Sequence, residues 1–174
     1  MQSLPGHVVR HAVAAAAIDP EGALNGVVDV FGRIDGGRPL PGDKGRALAP
    51  YMFHVVIENV RVEAVYSEKL VDAFLTGCVP LFLGASKRAM QELTQYDVEE
   101  GVIFLDGDKN GDGVEDGADV VMQITELAAA GGLSGASYDR RQRAILHNFA
   151  VAHGDSRPWD GALLALMDEL TARE

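Results

Sequence analysis

Two short stretches carry the residues most able to do chemistry. Tyr51-Met52-Phe53-His54-Val55-Val56-Ile57 is a nearly continuous apolar run that ends in Glu58-Asn59. After a short connection, Ser67-Glu68-Lys69-Leu70 opens an apolar helical segment. A helix start offers free backbone N–H groups and the positive end of the helix dipole, both suited to anions. Lys69 adds a full positive charge beside them. A lysine and a carboxylate so placed can divide the work on a nucleotide sugar: the lysine neutralises the diphosphate, and Glu68 accepts bonds from ribose hydroxyls. The same residues also describe an ordinary helix start, with Glu68 suiting the dipole and Lys69 a solvated surface charge.

A second pattern is Asp108-x-Asn110-x-Asp112-Gly113-x-x-Asp116-x-x-Asp119. It supplies oxygen ligands at positions 1, 3, 5, 9 and 12 of a calcium loop, with glycine where the loop turns sharply. Its last ligand is Asp rather than Glu, and it follows a strand rather than a helix. The alternative is an acidic, glycine-rich loop that caps the helix beginning at Ala118. His7 and His11 lie four apart without a third ligand beside them, which makes a surface pair rather than a zinc site. His54 sits inside an apolar strand and reads as a core histidine. Gly131-Gly132-Leu133-Ser134-Gly135 follows a helix, so it is not a dinucleotide fingerprint. Trp159 reads as packing a C-terminal helix onto the domain.

Alternating elements must position these residues. Val8 to Ala17 predicts an alanine-rich helix stopped by Asp19-Pro20. Val27-Val28-Asp29-Val30-Phe31 predicts a strand closed by Gly32, and Gly36 to Ala49 a loop. Tyr51 to Ile57 predicts a strand buried on both faces. Ser67 caps a helix over Glu68 to Leu75 that stops at Gly77. Val79 to Leu83 and Val102 to Leu105 predict strands, and Ser86 to Leu93 a short helix between them. Helices are predicted over Ala118 to Ala130, Tyr138 to Ala150 and Pro158 to Ala172. Strand–helix alternation from Tyr51 onward implies a parallel sheet covered by helices. Ligands of such sheets bind beyond the carboxyl ends of the strands, where Glu58-Asn59 and Gly84 fall.

Composition narrows the function. The chain has 174 residues and a formal net charge of -11. That length fits one domain. The charge opposes binding to nucleic acid or anionic lipid, which needs clustered cations. Cys78 is the single cysteine, so no intrachain disulfide forms. No run reaches the length of about 18 apolar residues of a membrane span. An anchor, if the natural protein has one, is therefore expected outside this chain.

The motif also resembles a family. The α-1,3-fucosyltransferases carry a strand ending in Glu-Asn, then a Tyr-x-Thr-Glu-Lys segment, then an apolar Val-Pro strand ending in Gly. Here these are Phe53 to Asn59, Val65-Tyr66-Ser67-Glu68-Lys69 and Val79 to Gly84. Val28-Asp29-Val30-Phe31-Gly32-Arg33 looks like the family's preceding strand, and Gly101 to Phe104 like the following one. The likeness runs from about Arg10 to Leu127.

The resemblance implies an α/β, Rossmann-like domain with a parallel sheet and helices on both faces. That domain is the C-terminal, donor-binding half of a GT-B type transferase, and residues 1–174 are expected to form it alone. It implies GDP-fucose as donor, a glycan hydroxyl as acceptor, inversion at the transferred sugar and no required cofactor. Asn59, Glu68 and Lys69 match the family's donor-binding residues, and Arg10 matches an arginine that contacts the donor diphosphate. Ser67 replaces the usual Thr and keeps its hydroxyl. The usual Tyr falls at Val65, with Tyr66 one place later as the donor-binding residue that would pack on the base, and Met52 replaces a lysine. The family's catalytic base is a carboxylate of the N-terminal, acceptor-binding domain, and nothing at the start of this chain has that domain's length. The expectation is a fragment, or a partner that supplies the other half. Such enzymes face the Golgi lumen in eukaryotes and the cytoplasm in bacteria. Alternatives are the same fold using another nucleotide sugar, or a non-catalytic, calcium-stabilised binding module.

Overall fold

The computed structural model describes residues 5–60 and 66–154. Val65, Trp159 and the helix expected over Pro158 to Ala172 lie outside them. Three parallel strands form the sheet in the order β1 (Phe53–Ile57), β2 (Val79–Leu83), β3 (Ile103–Phe104). Register runs from Phe53 opposite Val79 to Ile57 opposite Leu83, and from Leu81 opposite Ile103 to Phe82 opposite Phe104. Helix α3 (Glu68–Leu75) crosses over between β1 and β2, and α4 (Lys87–Leu93) between β2 and β3. The domain is therefore α/β with a parallel sheet, consistent with a Rossmann-like fold.

Strand residues alternate between two cores, as a pleated sheet covered on both sides requires. Val55, Ile57, Leu81, Leu83 and Leu105 meet Val9, Val13 and Ala17 of α1 (Pro5–Ile18) and Val120 and Ile124 of α5 (Gly117–Ala129). Val56, Phe82 and Phe104 point the other way, onto Leu70, Ala73 and Phe74 of α3 and Met90 of α4. The last described helix, α7 (Gln142–His153), packs on α3. Its fully buried Asn148 accepts from Asp97 N and donates to Asp97 O, which fixes the turn before β3.

Side-chain caps set the helix starts. Ser67, Ser86 and Asp116 each accept a backbone N–H of the following turn, which satisfies donors that a helix start leaves open. Gly77 (φ +73°) carries the chain from α3 towards β2. Gly131 (φ +73°) lies just beyond α5, and the Gly131 to Gly135 run joins it to α6 (Gly135–Asp139), capped by Ser134.

Three local expectations differ from the structure. The Val27 to Phe31 run is not a sheet strand; it forms only an isolated bridge between Phe31 and Arg38. The amides of Val27 and Val28 turn back onto Leu24 O. Asp29 then ties this segment sideways, accepting from the Tyr51 hydroxyl at 2.6 Å and pairing with Arg38 at 2.9 Å. The expected loop over Gly36 to Ala49 contains a short helix, α2 (Lys44–Leu48), because Asp43 caps Arg46 N. The helix expected over Tyr138 to Ala150 is two helices, α6 and α7, broken at Arg140-Arg141. No helix among the described residues is long and apolar enough to cross a membrane.

Candidate functional site

The carboxyl end of β1 is where α1 and α3 converge. Gly6 N donates to Asn59 O at 3.1 Å. A Cβ on Gly6 would lie 1.7 Å from Glu58 O, so only glycine allows this approach. One turn further along α1, Arg10 donates from a single terminal nitrogen to Ile57 O at 2.9 Å and to Asn59 Oδ1 at 2.6 Å. Arg10 and Asn59, 49 residues apart, are thereby brought together.

From the other side, the start of α3 closes on Glu58. This glutamate is only 6% exposed. Its Oε1 accepts from Ser67 N at 2.7 Å, and its Oε2 from the Ser67 hydroxyl at 2.7 Å. Gly84, beyond β2, leaves room for it: a Cβ there would sit 2.9 Å from Glu58 Cγ and 2.4 Å from the Phe82 ring. The Lys69 ammonium stands against the same group, 2.9 Å from Ser67 Oγ, 3.1 Å from Glu68 Oε1 and 3.6 Å from Glu58 Oε2.

These contacts change the picture of the helix start. The backbone amides are not free: Ser67 N–H goes to Glu58, and Lys69 N–H points at Ser67 Oγ from 3.4 Å. Positive charge at this helix start therefore comes mainly from Lys69. Nor is Lys69 a solvated surface charge, since its side chain is 22% exposed and held by three oxygens. Glu68 is 69% exposed. The hydrogen bond from Lys69 keeps its carboxyl below the usual range, so at neutral pH it is an ionised acceptor facing solvent. Tyr66 packs edge to face on Tyr96 at 5.9 Å, at the margin of the core beneath α3. Burial, followed by Tyr66 itself, pushes the Tyr96 phenol up to about 12.

Glu58 is the residue to which sequence reasoning gave no role of its own. It was visible as the polar end of an apolar strand, but nothing in the sequence showed that Ser67 would fold back onto it.

Other candidates fall elsewhere. A cavity of about 370 Å³ lies beside β1, between α1, α2 and the Val27 to Phe31 segment. Among the five residues named for donor binding, only Arg10 lines it. His54 also lines it; burial, then the charge of Lys44, pushes its imidazole down to about 4. In the acidic loop, backbone amides take up the side-chain oxygens: Gly113 N donates to Asp108, Asp112 N to Asn110, Val114 N to Asp112, Asp119 N to Asp116 and Asn110 N to Asp119. Among the described residues, no group of three or more His, Cys, Asp or Glu is arranged to hold a metal ion.

Comparison with known proteins gives one relevant likeness. Over 62 residues, 34% of this chain, the sequence is 44% identical to alpha-(1,3)-fucosyltransferase 4 of Mus musculus. Those residues make up 14% of that protein's length. No family model and no solved structure matches the chain.

Proposed function

We propose that this chain is the nucleotide-sugar-binding part of a glycosyltransferase, taking GDP-fucose and supporting transfer of fucose, with inversion, to a glycan hydroxyl. The observation that carries this reading is the placing of Lys69: a cation at a helix start, held against the carboxyl end of a parallel strand, where ligands of such sheets bind. The short likeness to a fucosyltransferase supports fucose as the sugar, and GDP as the nucleotide is what the resemblance of the Glu58-Asn59 and Ser67-Glu68-Lys69 motif implies.

The chemistry follows from charge. In an inverting transfer the acceptor oxygen attacks the anomeric carbon as the bond to the diphosphate breaks, leaving negative charge on the departing phosphate. A preorganised cation next to that oxygen stabilises the transition state more than the ground state. Lys69 is this cation, with the dipole of α3 behind it. Glu68, ionised and exposed, accepts from the ribose hydroxyls. Arg10, fixed on Asn59, supplies a second positive charge across the strand end, and Tyr66 borders the nucleoside side. The base that takes the acceptor's proton is assigned to a separate acceptor-binding domain.

Calorimetry with GDP, GDP-fucose, GDP-mannose and UDP-sugars tests the proposal. Lys69→Ala is expected to weaken GDP binding by about 1.5–3 kcal/mol, the scale of a hydrogen bond to a charged group. Glu68→Ala is expected to weaken the nucleoside part, so its loss persists with GMP. Equal GDP affinity for wild type and both variants would refute the assignment.

A further inference from the structure

We infer that Glu58 is the positioning residue of this site: its buried carboxylate sets where the Lys69 ammonium stands. The inference rests on the proposed function and adds a role for Glu58, which the motif contains without assigning it one. An ionised carboxylate at 6% exposure is costly unless paired and hydrogen-bonded. Glu58 meets both conditions through one short segment. Both of its oxygens are taken by Ser67, through the backbone N–H and the hydroxyl, each at 2.7 Å. With its proton committed to Glu58, Ser67 Oγ turns its lone pairs outward, and the Lys69 ammonium sits on them at 2.9 Å. The chain Glu58–Ser67–Lys69 thus runs from the strand end to the helix start.

Lysine is a flexible point charge whose long side chain carries much rotamer entropy. A tether that confines it before the ligand arrives reduces the ordering lost on binding. The negative charge of Glu58 also opposes a diphosphate, so the sign of its effect separates two roles. A tether predicts weaker binding when the charge is removed; simple repulsion predicts tighter binding.

The test uses Glu58→Gln in the full chain, which keeps size and one acceptor but removes the charge. GDP affinity is expected to fall on the order of tenfold, the scale of a lost charge-assisted bond, and GMP affinity much less. Combined with Lys69→Ala, Glu58→Gln is expected to add almost nothing, because the two act as one unit. Ser67→Ala, which cuts the same chain at its middle, is expected to reproduce the selective loss and serves if Glu58→Gln does not fold. Glu58→Asp is expected to recover part of the affinity.

An independent measurement needs no nucleotide. The rate at which an amine-acylating reagent modifies Lys69 is expected to rise several-fold in Glu58→Gln, while Lys87 and Lys109 serve as unchanged internal standards. Glu58→Gln that binds GDP as well as or better than wild type overturns the inference. So does a loss equal for GDP and GMP, or one fully additive with Lys69→Ala. If wild type binds no GDP, the proposed function fails, and the acylation rate alone decides: unchanged Lys69 reactivity overturns the tether.

Discussion

Gly6→Ala probes the site without touching any of its charges. The added Cβ would lie 1.7 Å from Glu58 O and 2.8 Å from the carbonyl carbon. Both neighbours are backbone in a packed interior, so α1 must lift from the strand end by roughly 1 Å or more. Overpacking of this kind costs about 1–3 kcal/mol. Losing the Gly6 N–H to Asn59 O bond adds about 1 kcal/mol. The alanine returns about 0.5–1 kcal/mol by restricting the unfolded chain. The net is about 1–3 kcal/mol, or a fall in melting temperature of about 3–9 °C for a chain of this size. Arg10 lies one turn along the same helix, so its bonds to Ile57 O and Asn59 Oδ1 open as α1 retreats. Urea unfolding measures the stability, and GDP calorimetry measures the functional consequence, an expected loss of affinity. Gly135→Ala is the control, since a Cβ there meets nothing within 4 Å; it is expected to be neutral or slightly stabilising. If Gly6→Ala is as stable as wild type, α1 does not seat on the strand end, and the frame around Arg10 and Asn59 fails with it.

Two further outcomes follow from the same structure. His54 is depressed from 6.5 to about 4, chiefly by burial, and its Nδ1 lacks a partner among the described residues. The unfolded chain therefore binds a proton that the native state refuses between those values, and this contribution, about 3 kcal/mol, is present above pH 6.5 and lost as pH falls towards 4. Urea titrations of wild type and His54→Phe at pH 7 and pH 5 should show the smaller pH dependence in the variant; identical slopes refute the assignment. In the Asp108 to Asp119 loop, one oxygen each of Asp108, Asp112, Asp116 and Asp119, together with Asn110 Oδ1, accepts a backbone N–H within the loop itself. With these oxygens serving the loop's own backbone, the melting temperature is expected to stay constant on adding millimolar calcium, and a rise would support the calcium-site reading by mass action on the folded state.

The sequence by itself determined the elements whose signals are local. Ser67, Glu68 to Leu75 and Gly77 were legible as cap, helix and stop because a hydroxyl, an apolar spacing and a residue free to take positive φ each act within one turn. Val79 to Leu83 was legible as a strand because every side chain in it is apolar, and the strand–helix order implied the parallel sheet. What the sequence left open depended on partners far along the chain. Val27 to Phe31 has the composition of a strand, but its place was decided by Asp29 bonding Tyr51 and Arg38 rather than by β propensity. Spacing alone favoured Lys69 as a surface charge over Lys69 as a ligand; its surroundings come from Glu58, eleven positions earlier and on another element. Arg10 and Asn59 meet only because Gly6 lets a helix start press against a strand end. Propensity and capping are short-range, so one dimension records them. Burial of a carboxylate and the meeting of distant polar groups are properties of packing, which only the tertiary structure decides.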